Sequence, residues 1–275
     1  MGVLRPFGKA PVSDPSKGAI TMPHTIAVAG KGGVGKTTIS GMLIDYLCAT
    51  GKTPVLVVDA DANCNLNEVL GVEATTTLGT IREEMAQAEL KKTIPAGMTK
   101  ADYAELKFSS ALIEEDDYDM LIMGRTQGKG CYCYVNGVLK TQMDKYAKNY
   151  KYIVMDNEAG LEHVARGTLP HVDTMLLISD CSRRGIQAVG RIKEMIEEME
   201  LKPGRMGLIV NRAPNGVLDP GTLEEIERQG LTLYGVLPHS DDIYRCDCEG
   251  TPSSKLPTTN PTKQALHQVL NGLSL

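Results

Sequence analysis

The densest chemistry in this chain is one short stretch, Gly30-Lys31-Gly32-Gly33-Val34-Gly35-Lys36-Thr37-Thr38. It matches G-x-x-x-x-G-K-[ST] and stands between an apolar run and a helical pattern, the context that motif needs. Glycines let the backbone wrap closely and aim its N–H groups at phosphate oxygens. The helix that follows adds the positive end of its dipole. Lys36 is suited to neutralise outer phosphates, and the Thr37 hydroxyl to ligate Mg²⁺. Lys31 alone reads as a solvated loop charge. Three carboxylates stand at the ends of apolar runs: Asp59 and Asp61 after Val57-Val58, and Asp156 after Tyr152–Met155. Such groups can accept a hydrogen bond from water. Asp is also common in caps and turns, so both roles stay open for Asp59 and Asp61.

The cysteines are the second candidate chemistry. There are seven, and four form two C-x-C pairs, Cys131/Cys133 and Cys246/Cys248. Thiolates suit zinc, copper(I), nickel or iron–sulfur sites. Two thiolates cannot complete a four-coordinate site, but a two-fold dimer brings four to one axis. Gly124, Gly128 and Gly130 place Cys131 and Cys133 in a loop. A redox pair and two chance core thiols are the other readings of that pair. Cys246 and Cys248 fall in a loop after Pro238, as ordinary thiols or a metal-loading site. Cys64 reads as structural, and His163 either supports a metal or hydrogen-bonds within a helix.

Alternating strands and helices position these residues. Strands are expected at 24–30, 54–59, 119–124, 152–156, 174–180, 206–212 and 233–238. Helices are expected at 36–51, 78–90, 183–201, 222–230 and 261–270, with 91–117 unassigned. Apolar strands alternating with helices predict an α/β fold: a doubly wound, mostly parallel sheet with helices on both faces. Ligands of such sheets bind at the carboxyl ends of the strands, where the motif residues fall. The 275 residues are expected to form one domain over 23–275, preceded by a flexible extension over 1–22 rich in Gly, Pro, Ser and Lys. A net charge of −5 offers no global attraction to nucleic acid or anionic lipid. No apolar run spans a membrane. The odd cysteine count and the lack of a secretory signal point to a reducing cytoplasm.

The x-K-G-G-x-G-K-T-T pattern resembles the deviant Walker A motif of the family that contains MinD, ParA, nitrogenase iron protein and metallocluster assembly ATPases. The resemblance runs from residue 24 to about 272. It implies a P-loop ATPase with ATP or ADP and Mg²⁺, in which two subunits face each other across the nucleotides. Lys31 would then reach the partner's phosphates. Asp61 would orient the attacking water, Asp59 would support Mg²⁺ and the strand end, and Asp156 would be the Walker B aspartate. Asn157-Glu158-Ala159-Gly160 would be the second switch. Asn211 would read the adenine edge beside Arg212, and the loop after Pro238 would close over the base. The family's acidic residue two positions after that proline is replaced here by Ser240.

G-K-G-C-Y-C followed by Y-I-V-M-D-N-E-A-G-L-E-H looks like the CooC group within this family, and the similar AcsF group. That resemblance implies nickel or zinc at Cys131 and Cys133 across a homodimer. It also implies a client, carbon monoxide dehydrogenase or acetyl-CoA synthase, with no nucleic acid and no membrane partner. Two alternative readings of the residues stay open. A MinD- or ParA-like spatial ATPase needs a basic tail or a DNA-binding face. The tail at 264–275 carries no Lys or Arg, and glutamates interleave Arg183, Arg184, Arg191 and Lys193. An iron–sulfur reductase like nitrogenase iron protein would carry cysteine where His163 stands.

Overall fold

The computed structural model describes residues 22–61, 63–124, 133–158 and 171–275, with side chains from 140 onward in the third stretch. All but Met22 of the expected extension, together with Cys131, His163 and part of the second switch, lies outside the described residues.

Eight strands form one sheet: β1 (His24–Gly30), β2 (Val55–Ala60), β3 (Ile113–Glu114), β4 (Tyr118–Ile122), β5 (Tyr152–Asn157), β6 (Thr174–Asp180), β7 (Arg205–Ala213) and β8 (Leu233–Pro238). Their order is β3-β4-β2-β5-β1-β6-β7-β8. Every pairing is parallel except the two-residue β3 against β4. Strand residues alternate between two apolar layers, because successive side chains leave opposite faces. Ile26, Val28, Val57, Val154 and Ile178 pack under α1 (Lys36–Ala49), α2 (Leu66–Leu70) and α9 (Pro261–Gly272). Ala27, Ala29, Val58, Met155 and Leu177 pack under α3 (Leu78–Lys91), α4 (Lys100–Ala111), α5 (Cys133–Ala147), α6 (Arg183–Glu198) and α7 (Pro220–Arg228). Each fully buried Ile or Leu contributes about 1.5–3 kcal/mol. That two-sided cover makes the central strands continuous apolar runs rather than alternating ones.

The expected strands and long helices are present. The unassigned stretch 91–117 holds α4, whose start is a capping box: Thr99 accepts from the Asp102 N–H, and the Asp102 carboxylate accepts from the Thr99 N–H. Cys133 opens α5 rather than lying in a loop. Cys246 and Cys248 also sit in a helix, α8 (Asp241–Glu249), which contributes no buried residue. Residues i and i+2 of a helix point about 200° apart. The two thiols therefore diverge, which corrects the reading of this pair as loop ligands.

Because the strands are parallel, β1, β2, β4, β5, β6 and β7 all end on one edge. Gly30, Asp59, Asp156 and Asn211 stand at or next to those ends.

Candidate nucleotide site

The loop between β1 and α1 needs its glycines. A Cβ at Gly30 would stand 2.2 Å from the Ile178 carbonyl oxygen of β6, so only glycine lets the two strand ends lie together. Gly33 and Gly35 have φ of 78° and 95°, left-handed values that favour glycine. Lys36 is buried and its ammonium donates to the Lys31 carbonyl at 3.2 Å. Burial lowers its pKa, and the carboxylates of Asp156, Asp61 and Glu158 oppose that shift. Lys31 is exposed, in contrast to Lys36 five residues on. Gly32 is exposed, Val34 is buried, and Thr37 and Thr38 are half-buried at the head of α1.

Two consecutive residues at the end of β7 hold this loop, a feature the sequence did not disclose. Asn211 Nδ2 donates to the Val34 carbonyl at 2.9 Å, and its Oδ1 accepts from the Arg212 N–H at 2.9 Å. The Arg212 guanidinium donates to the Gly33 carbonyl at 3.0 Å. Arg212 adopts φ 58°, a left-handed value uncommon for a non-glycine residue. The Asn211 amide keeps one N–H and one lone pair free, the pair of groups that reads an adenine edge.

The one sequence signal for this clamp is Gly35, where a Cβ would stand 2.5 Å from Asn211 Nδ2. Gly35→Ala is expected to weaken ATP binding at least ~10-fold, since a displacement worth 1.4 kcal/mol is tenfold in affinity. Titration with a fluorescent ATP analogue reads it. Gly51→Ala is the control. Gly51 has a left-handed φ of 70° with no heavy atom within 4 Å of the added Cβ, so it carries backbone strain without touching the site. Equal affinity loss in both variants would contradict the clamp.

The carboxylates at the strand ends are built in. Asp59 lies opposite Asp156 in the β2–β5 register. Its two oxygens accept from the Asp61 and Leu66 N–H groups at 3.0 and 3.1 Å. Burial nevertheless pushes its pKa up to about 6. Asp61 is half-buried, and its carboxylate accepts from the Asn63 N–H at 2.8 Å. Asp156 is fully buried. Ser40 Oγ donates to its Oδ1 at 3.0 Å, and among the described residues Oδ2 has no hydrogen-bond partner. Burial pushes its pKa up to about 7, with Asp59 adding to the rise and Thr37, Ser40 and Lys36 opposing it. A buried carboxylate oxygen without a partner, beside a Thr hydroxyl at a phosphate loop, fits Mg²⁺, a hard cation bound by one or two carboxylates plus phosphates.

Both acids hold protons more tightly in the folded chain than in the unfolded one. Their contribution to stability is full below the unfolded carboxylate value and is lost as pH rises through about 6 and about 7. The melting temperature of the nucleotide-free protein is expected to fall between about pH 4 and about pH 7, and Asp156→Asn to flatten that slope. Identical slopes in the two proteins would contradict the assignment.

Beside the loop lies a cavity of about 330 Å³, lined by Thr38, Met42, Asn211, Arg212, Pro238 and Tyr244 among others. That is the size of a small-ligand site. Ile243, Tyr244 and Asp247 of α8 form one wall, so the segment after Pro238 does border the cavity next to Asn211. Asn260 anchors the start of α8 by donating to Ser240 Oγ at 2.9 Å. Among the described residues no group of three or more His, Cys, Asp or Glu could hold a metal ion. Cys131 lies outside those residues, as does the side chain of Cys133.

The fold and the phosphate loop define a nucleotide-binding P-loop protein of the MinD/ParA type. A profile of the AAA_31 family, described as an AAA domain, matches residues 23–205. An uncharacterised ATP-binding protein of Methanocaldococcus jannaschii is 42% identical over 248 residues, covering 89% of this chain and 96% of that protein. The chain therefore belongs to this family of P-loop ATPases. The carbon monoxide dehydrogenase accessory protein CooC of Rhodospirillum rubrum is 27% identical over 245 residues, covering 79% of this chain and 92% of that protein. In fold, the MinC:MinD cell division complex of Aquifex aeolicus matches with a TM-score of 0.65 at 21% identity, covering 91% of this chain and 95% of that one. Among the described residues, no helix is long and apolar enough to cross a membrane.

Proposed function

We propose that this protein is an ATP-hydrolysing, dimerising metallochaperone that carries nickel or zinc on Cys131 and Cys133 and assists metal insertion into a nickel enzyme. The observation that carries this reading is topological. β4, after which the C-x-C follows in sequence, ends on the same carboxyl edge of the sheet as the phosphate loop, Asp59 and Asp156. Nucleotide-driven pairing across that edge would bring two C-x-C pairs toward one two-fold axis. The likeness to the carbon monoxide dehydrogenase accessory protein CooC supports a client of that class, and the metal rests on the thiolate pair itself.

In this reading the loop amides of Gly32–Thr38 and the Lys36 ammonium bind the phosphates, while Asn211, Arg212 and Pro238 frame the base. Thr37 and Asp156, with Asp59 behind them, would hold Mg²⁺, which supplies charge neutralisation between the outer phosphates. Asp61 orients the attacking water. Lys31, exposed at the start of the loop, completes the partner's site as an arginine finger does. ATP favours the closed dimer because it binds that state more tightly, and hydrolysis releases it. Metal taken up in the closed state then passes to the client when the dimer loosens.

The test is ATP turnover against protein concentration. Specific activity should rise with concentration and level off as the dimer fills. A specific activity independent of concentration, in a protein that stays monomeric with ATP, would contradict the shared site. A MinD- or ParA-like spatial role is the alternative reading, supported by the same fold and by a likeness to MinD of Bacillus subtilis at 24% identity.

A further inference from the structure

Helix α8 contributes no buried residue, so core packing does not account for the side chains on its cavity side. Its first turn is accounted for. Asp241 and Asp242 stand there, where negative charge complements the helix dipole. Each also has a partner, His239 at 3.2 Å and Arg245 at 3.5 Å. Asp247 is different. It stands in the last turn, where the same dipole disfavours an acid and where α8 carries no basic residue. It nevertheless lines the cavity beside the phosphate loop, and among the described residues of that lining it is the one carboxylate. Tyr244, three positions earlier and so on the same helix face, lines the same cavity and is 67% exposed. A residue that its own helix disfavours, placed in a ligand-sized cavity, is a local conflict of the kind that marks a functional position.

The rest of the lining defines what that acid meets. Asn211 presents one N–H and one lone pair to a base edge, and Arg212 offers donors alone. The Thr262 hydroxyl is committed to the Pro238 carbonyl at 2.8 Å, and Ser240 Oγ accepts from Asn260. An ionised carboxylate only accepts, and it repels phosphate. The phosphates therefore lie toward Lys36, and a donor-bearing part of the ligand lies toward Asp247. With the base edge read by Asn211, the donors left on a nucleotide are its two adjacent sugar hydroxyls. A carboxylate is the group suited to them. We propose that Asp247 is a specificity residue for ribose: its carboxylate accepts from the sugar hydroxyls of the bound nucleotide, and the Tyr244 ring covers the nucleoside from the same side. The cavity then selects a ribonucleotide, and α8 is kept as a wall for the ligand rather than as a part of the core.

This inference rests on the ATP reading above, and the test separates the two. Calorimetry measures the affinities of wild type, Asp247→Ala, Asp247→Asn and Tyr244→Ala for ADP and for 2′,3′-dideoxy-ADP. Wild type is expected to prefer ADP by ~10-fold or more, the value of a hydrogen bond to a charged group. Asp247→Ala should lose that preference through weaker ADP binding, with dideoxy-ADP affinity within about twofold of wild type. A merely structural role would lower both affinities together. Asp247→Asn keeps an uncharged acceptor and should show an intermediate preference. Tyr244→Ala should weaken both nucleotides by a similar factor, because the ring does not touch the hydroxyls. Thermal melting of nucleotide-free Asp247→Ala is the fold control, expected at or above wild type because an acid is removed from a helix C-terminus. Equal wild-type affinity for the two nucleotides, or parallel loss of both in Asp247→Ala, would overturn the role of Asp247 and leave the ATP reading standing. A wild-type chain that binds neither nucleotide would overturn the ATP reading and this inference with it.

Discussion

Lys31→Ala is expected to lower ATP turnover by ~10³-fold or more, the lower end of what a charge supplied in trans contributes to phosphoryl transfer. The same variant should bind ATP as a monomer within about threefold of wild type, because the monomer's own phosphate contacts come from the loop amides and from buried Lys36. Lys31 is exposed, and among the described residues its one hydrogen bond is at its backbone carbonyl, which accepts from Lys36. An exposed lysine with no further role changes a protein by less than about 0.5 kcal/mol when removed. The two readings of Lys31 therefore differ by about three orders of magnitude in one rate measurement. ATP-dependent dimerisation, followed by light scattering, should weaken in parallel with turnover. Lys36→Ala gives the contrasting pattern, with binding itself lost.

The second large effect concerns the cysteines. Cys131→Ser/Cys133→Ser is expected to abolish nickel or zinc binding at one ion per two chains, because a symmetric site built from two C-x-C pairs loses all four thiolates at once. ATP binding should be retained, since none of the described contacts of the phosphate loop involves these residues. Cys246→Ser/Cys248→Ser is the matched control. Those thiols diverge on α8, so this pair should leave the ion count unchanged. Metal analysis after gel filtration with a non-hydrolysable ATP analogue reads both variants. Retention of interface metal in the first, or its loss only in the second, would move the metal site to the other pair.

Much of this architecture was legible in the residues because local and tertiary demands agree. Gly30–Thr38 must be a turn between a buried strand and a helix, and Asp59 and Asp156 follow apolar runs that can only be strands under two-sided cover. The misses have physical causes. The α8 sequence DDIYRCDCE offers no apolar stripe to bury, so periodicity could not announce it; acidic residues in its first turn and the left-handed Gly250 at its end bound it instead. The α4 helix was hidden by a weak apolar pattern, although Thr99 and Asp102 carry its start signal. The five-residue α2 and the two-residue β3 are too short to show a period. The clamp of Asn211 and Arg212 on Val34 and Gly33 joins residues some 177 positions apart. Its geometry depends on β6 lying between β1 and β7, which strand order alone decides.

The most direct test of the account is native mass spectrometry of the wild-type chain with nickel or zinc, in the presence of a non-hydrolysable ATP analogue and, separately, of ADP. The account predicts a dimer carrying two triphosphates and one metal ion with the analogue, and mainly monomer without shared metal with ADP. A triphosphate-bound dimer with no metal, or metal bound equally by each monomer whatever the nucleotide, would contradict it.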